Sequence, residues 1–75
     1  MDLELIQRIL SDAPEAGWHD PDLLGWKLPN GLVLCAECSG RIMMRGFNLP
    51  DASVPLWRDR KFPIMKCAGC GKEVV

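Results

Sequence analysis

Cys35-Ala-Glu-Cys38 and Cys67-Ala-Gly-Cys70 are two Cys-x2-Cys pairs, 28 residues apart, and they hold all four cysteines of a 75-residue chain. A chain of this length makes one domain. A single core of this size seldom supplies more than ~3–5 kcal/mol, so short chains usually add disulfides, a metal or a partner. Two residues between cysteines let a tight turn bring both sulfurs to neighbouring corners of a tetrahedron, ~2.3 Å from a zinc ion. The pairs therefore predict one site with Cys35, Cys38, Cys67 and Cys70 as metal ligands, although the gap between them exceeds the ~15–20 residues of the commonest zinc spacing. The competing readings are two disulfides or four unconnected buried thiols. A disulfide within either pair would be a redox motif, whose thioredoxin-like setting needs a βαβ context that this sequence lacks.

A four-thiolate site leaves no open position for water or substrate, so the expected Zn2+ is a single structural ion and the chain is expected not to be an enzyme. Removing such an ion should leave the chain wholly or partly unfolded. Lys66, Lys72 and Arg41 lie near enough in sequence to offset the −2 charge that four thiolates leave around a divalent ion.

Around the cysteines an order of residues repeats: an apolar stretch, Cys-Ala-x-Cys, a glycine, a basic residue and a second short apolar stretch. It runs from Leu32 to Ile42 and again from Ile64 to Val74. Two similar hairpins facing one ion would explain the echo. Leu24–Leu28 and Leu32–Leu34 flank Pro29-Asn30-Gly31, whose asparagine and glycine suit a tight hairpin turn. Arg41–Arg45 reads as the return strand after Cys38, with one methionine of Met43-Met44 facing inward and one outward, and Gly46 as its end. Residues 47–55 read as a loop. A second hairpin is expected from Leu56-Trp57 through Arg58-Asp59-Arg60 to Phe62–Lys66, and residues 71–75 as a short last strand. Gly40 and Gly71 would supply the positive φ at which each turn leaves its cysteines.

Upstream, residues 2–13 have the spacing of an amphipathic helix, with Leu3, Ile6, Ile9, Leu10 and Ala13 on one side. Asp2 is its expected cap and Pro14 its stop. A helix this short is marginal alone and must dock, here on the chain's own core. Residues 14–22 form a turn-rich loop containing Trp18 and His19, the latter read as a loop histidine rather than a ligand or a base.

These features resemble the zinc ribbon family over residues 32–75, through Cys35, Cys38, Cys67 and Cys70 together with the neighbouring glycines and strands. The resemblance implies two knuckle hairpins clamping one structural zinc. Rubredoxins are similar less closely: they have nearly this gap, with iron and an electron-transfer role. This chain differs from them in having no tyrosine, in Ser39 where rubredoxins have glycine, and in lacking their strongly acidic surface outside the N-terminal segment. Iron is accordingly the lesser alternative.

Charge is unevenly placed within a net of −1: residues 1–22 carry six acidic side chains against Arg8, and residues 23–75 carry eight Lys or Arg against four acidic ones. That is a weak basic field for nucleic acid. Met1-Asp2-Leu3-Glu4 lacks signal-peptide character, and no apolar run reaches the ~18 residues of a transmembrane helix. A cytoplasmic location without membrane contact is expected, where reducing conditions favour metal-holding cysteines over disulfides.

The chain is expected to be a single domain over 1–75, with an acidic helix and loop over 1–22 and a four-cysteine zinc-binding β region over 23–75. Its expected fold is small α+β and metal-stabilised, a zinc-ribbon- or rubredoxin-like arrangement in which the N-terminal helix packs on two zinc-linked β-hairpins. Its expected function is that of a protein-interaction or regulatory adaptor, with a nucleic-acid-binding ribbon as the alternative and an iron electron carrier as the second. Candidate partner contacts are Trp18, Arg41, Arg45, Trp57, Arg58, Arg60 and Lys61; for nucleic acid, Trp57 would join its ring to the charges of Arg58, Arg60 and Lys61.

Overall fold

A computed structural model describes residues 1–15 and 20–74. Trp18 and His19 lie outside the described residues, as does Val75 at the end of the expected last strand. Helix α1 (Leu3–Asp12) forms where the apolar spacing predicts it. Asp2 caps it by accepting the Leu5 backbone N–H at 2.8 Å, and the chain leaves the helix at extended Ala13, just before Pro14. Ile6, Ile9 and Leu10 are buried. The amphipathic face therefore docks on the protein's own core.

Strand β1 (Leu23–Lys27) turns through residues 28–32 into β2 (Val33–Cys35), pairing antiparallel with Trp26 opposite Leu34. The turn is the one read from Asn30-Gly31: Gly31 has φ +89°, and the Asn30 side chain accepts the Leu32 N–H at 3.1 Å. Gly25, inside β1, lies against β2. A Cβ there would collide with the Leu34 carbonyl oxygen and crowd the Cα of Cys35, so the strand is tied to glycine at this point.

Several expectations for the rest of the chain fail, among them the loop over 47–55, whose last two residues, Val54 and Pro55, lie in a strand. Residues after Cys35 form helix α2 (Ala36–Met44) instead of a turn and return strand. Cys35 is its N-cap, with its sulfur accepting the Cys38 N–H at 3.4 Å; Ala36, Cys38, Ser39 and Ile42 bury one helical face. The helix closes with Gly46 N–H on the Met43 carbonyl and Phe47 N–H on the Ile42 carbonyl, with Gly46 at φ +95°. This is a Schellman closure. Gly40 is consequently an interior helical residue, and Met43 and Met44 are both exposed.

The second hairpin is also absent. Strand β3 (Val54–Trp57) pairs antiparallel with β1, giving the three-stranded order β2-β1-β3. Pro55 is tolerated because β3 is an edge strand. Phe62 and Met65 pack half-buried against the core, whereas Ile64 is exposed. The expected last strand is reduced, among the described residues, to one antiparallel bridge between Lys66 and Glu73. Among the described residues the architecture is thus small α+β, with two helices and one antiparallel sheet. Its core joins Ile6, Ile9 and Leu10 of α1 to Leu28, Leu34, Ile42 and Leu56. Cys38 and Cys67 belong to the same cluster. No helix among the described residues is long and apolar enough to cross a membrane.

Candidate metal centre

The two cysteine pairs reach the site on different frames. Cys35 ends β2 and Cys38 sits in the first turn of α2, where free backbone N–H groups and the helix dipole both favour sulfur anions. Cys67 and Cys70 lie on a tight turn closed by Cys67 N–H on the Lys72 carbonyl at 2.8 Å and Gly71 N–H on the Cys67 carbonyl at 2.9 Å. Gly71, at φ +77°, turns the chain away, the role its position next to Cys70 predicts.

Sheet-edge hydrogen bonding joins the pairs. On the outer side of β2, the Val33 carbonyl accepts the Ala68 N–H at 2.7 Å, and the Cys35 N–H donates to the Cys67 sulfur at 3.3 Å. The C-terminal turn thus covers a strand edge that would otherwise face solvent. From the other side, Gln7 of α1 donates its side-chain amide to the Ala68 carbonyl at 2.7 Å. Gly69 is wedged in between: a Cβ there would collide with Leu10 and press on the sulfur of Cys38.

The result is a cluster in which the four sulfurs lie within 4.8 Å of one another. The sulfurs of Cys35 and Cys70, one from each pair, are 3.8 Å apart. Tetrahedral coordination with Zn–S bonds of ~2.3 Å requires sulfur–sulfur edges of about 3.8 Å. The donor set therefore suits a tetrahedral divalent ion. All four cysteines are free of disulfides.

The sulfurs share protons unequally. Cys67 is held far below the ordinary thiol range by hydrogen bonds from the side chains of Cys35 and Cys38, assisted by the backbone N–H of Cys35; Gly69 N–H also points at its sulfur, at 3.2 Å. Cys38 is pushed far above that range by its side-chain contacts with Cys35 and Cys67 and by burial. Cys35 is favoured as thiolate by Cys38, but Cys67 and burial outweigh this and raise it to about 11. Of these three sulfurs, only that of Cys67 is favoured as thiolate. A divalent cation would let the others ionise, releasing protons as it binds.

Among the described residues, the remaining sequence candidates do not all fall on one surface. Arg41 donates to the carbonyls of Leu10, Ala13 and Pro14 at 3.0, 3.2 and 3.2 Å. It neutralises the C-terminal end of α1, which has no basic residue in its own last turn. Arg45 pairs with Asp12 at 2.8 Å, and Arg58 donates to the Pro21 carbonyl at 3.2 Å. Trp57, Arg60 and Lys61 are exposed at the end of β3 and in the following turn. Trp57, Arg58 and Arg60 border an open concavity of about 600 Å³ whose other walls are Asp20, Asp22 and Asp59. Trp26 is half-buried.

Gln7, Gly25 and Gly69 support the site without having been singled out from the sequence. A glycine inside an apolar strand signals close backbone approach, and Gly25 carried that signal; nothing around Gln7 marks it. The fold and the cluster define a small α+β chain with four cysteines positioned to bind a metal ion. Comparison with protein-family models, curated proteins and solved structures gives no match.

Proposed function

We propose that the protein is a non-enzymatic zinc-binding module whose single Zn2+ is structural and whose outer surface serves as a protein-interaction or regulatory adaptor. One observation carries the metal: four sulfurs within 4.8 Å, with a 3.8 Å edge between the two pairs, fit the geometry of a four-thiolate zinc site. When bound, the ion supplies cross-linking and no chemistry on a substrate, because four thiolates fill its coordination. Cys35 and Cys38 hold it from the strand–helix junction, and Cys67 and Cys70 hold it from the C-terminal turn. The site is zinc-ribbon-like in its donor set, with a helix in place of one ribbon hairpin. A reducing compartment, the cytoplasm being the simplest, keeps such thiolates available.

The choice of a protein partner over nucleic acid rests on how the basic residues are used. Arg41 and Arg58 donate to backbone carbonyls, and Arg45 faces Asp12. Asp20, Asp22 and Asp59 line the same concavity as Trp57 and Arg60 and would oppose phosphate. Mixed charge around an aromatic suits a peptide or protein surface better.

Elemental analysis of the natively purified protein tests the metal: one zinc per chain is the expected result. One iron per chain, with a red colour, would establish the electron-carrier alternative. Pull-downs comparing wild type with a Trp57→Ala, Arg60→Ala variant test the surface. Retention on immobilised RNA or DNA with steep salt dependence would overturn the adaptor reading.

A further inference from the structure

The four ligands differ in exposure: Cys38 and Cys67 are buried, Cys35 is half-buried, and Cys70 is exposed. The sulfur of Cys70 lies 3.8 Å from that of Cys35. The solvent-facing edge of the site is therefore the Cys35–Cys70 edge, which runs between the two pairs.

We infer that this edge is a peroxide-sensitive release point, at which oxidation joins Cys35 to Cys70 across the two pairs and frees the metal ion. The release rests on the zinc reading above; the connectivity of the bond does not. In the first step the Cys70 thiolate attacks hydrogen peroxide. The O–O bond breaks, one oxygen stays on sulfur as sulfenic acid, and hydroxide leaves. In the second step the Cys35 thiolate attacks the Cys70 sulfur and expels a second hydroxide, so two thiolates lose two electrons and one peroxide is reduced. Two of the four ligands are thereby removed, and Cys38 and Cys67 alone do not complete a tetrahedral site.

The local contacts favour this connectivity over a bond within either pair. The Cys67 sulfur is held inward by the N–H groups of Cys35 and Gly69, and Leu10 and Cys38 pack so closely on Gly69 that a Cβ there would collide with them. Cys38 is 2 % exposed in the first turn of α2. Peroxide thus meets Cys70 first, and Cys35 is the partner that shares its exposed edge. The bond would also keep the C-terminal turn attached to the end of β2 after the ion has left. The oxidised chain should therefore remain largely folded, with α1 still docked.

The test is to titrate the zinc-loaded protein with hydrogen peroxide in the presence of a chromogenic zinc chelator, and then to map disulfides by differential alkylation and mass spectrometry. The expected result is a Cys35–Cys70 peptide rising together with zinc release, one ion per disulfide, and a sulfenic-acid trap labelling Cys70 before any other cysteine. Cys67–Cys70 or Cys35–Cys38 as the main product, or first labelling of Cys38 or Cys67, would each overturn the inference. Zinc content measured before peroxide keeps the two failures apart: a chain purified without zinc refutes the zinc reading and the release, and mapping its disulfides still decides the connectivity.

Discussion

The two Cys-Ala-x-Cys pairs are near-copies in sequence and opposites in support. Cys35 and Cys38 are built into a strand, a helix and a buried face that includes Ile42. Cys67 and Cys70 sit on a turn whose local hydrogen bonds, among the described residues, are those of the Lys66–Glu73 bridge, Gly71 N–H on the Cys67 carbonyl and Gly69 N–H on the Cys67 sulfur. Everything else that holds the second pair is borrowed: a carbonyl of β2, an amide donated by Gln7, and the space between Leu10 and Cys38. A motif of four residues fixes where two sulfurs point, but it does not fix the frame behind them. The first pair should therefore keep its shape without a metal, and the second should depend on one.

Metal removal gives the largest expected effect and attacks the comparison directly. Structural zinc contributes apparent binding energies of ~10–16 kcal/mol at neutral pH, more than a core of this size provides. After chelation, hydrogen exchange should rise first and furthest at the amides of Cys67, Gly71 and Val74, whose hydrogen bonds close the C-terminal turn. Amides in β1, β2 and α2 should retain measurable protection. If both regions lost protection together and at one rate, the asymmetry between the pairs would be wrong.

The next effects come from two glycines, one on each side of the comparison. Gly25→Ala places a methyl group against the Leu34 carbonyl and the Cys35 backbone, neither of which can turn aside as a side chain could. A loss of about 3 kcal/mol, at the upper end of overpacking, is expected in a denaturant melt, with the β1–β2 pairing weakened throughout. Gly69→Ala meets the tip of Leu10, which can rotate, and the Cys38 sulfur, which cannot move far without leaving the site. Its expected cost is about 1–2 kcal/mol, with a faster transfer of zinc to a chelator. Equal zinc off-rates for Gly69→Ala and wild type would show that the second pair has more freedom than its packing indicates.

How much of this was legible in the sequence follows the same division. Helix α1, its Asp2 cap and the Asn30-Gly31 hairpin rest on local signals, namely periodicity, a capping side chain and positive φ, and all three appear in the structure. The proximity of the four sulfurs followed from spacing alone. Helix α2 was hidden because Gly40 lowers helix propensity in its middle, and because Ile42-Met43-Met44 reads equally well as a strand. The N-cap role of Cys35 is invisible until the thiol is recognised as an acceptor. The partner of β3 is a long-range choice: Pro55 argued against a strand, and no local rule says that an edge beside β1 will accept it. The uses of Arg41 and Gln7 are tertiary contacts, for which the sequence carries no sign.

Arg41 ties α1 to α2, both on the self-supporting side of the molecule. Arg41→Ala leaves three carbonyls at the end of α1 without their charged donor and should cost about 1–2 kcal/mol in thermal or denaturant unfolding. Arg41→Lys should recover little, because a single ammonium cannot span carbonyls that a planar fork reaches together. Neither change should alter zinc stoichiometry. A large loss of zinc from Arg41→Ala would mean that α1 positions both pairs equally.

Gln7 provides the smallest and most selective test, since its amide reaches from α1 to the unsupported pair. The side chain is exposed, so Gln7→Ala should cost no more than about 0.5–1 kcal/mol of global stability. Its effect should appear instead as local opening: faster exchange of the Gly71 amide and quicker zinc loss, with exchange in β1 and β2 unchanged. Gln7→Glu should be worse than Gln7→Ala at neutral pH. A carboxylate cannot donate, and it would face the carbonyl oxygens of Ala68 and Gly69 next to a thiolate cluster. Protonating that new carboxyl restores one donor, so the gap between the two variants should narrow as pH falls through the carboxyl range. If Gln7→Glu and Gln7→Ala released zinc equally at neutral pH, the hydrogen bond from α1 would have no part in holding the second pair, and the sheet edge of β2 would be carrying it alone.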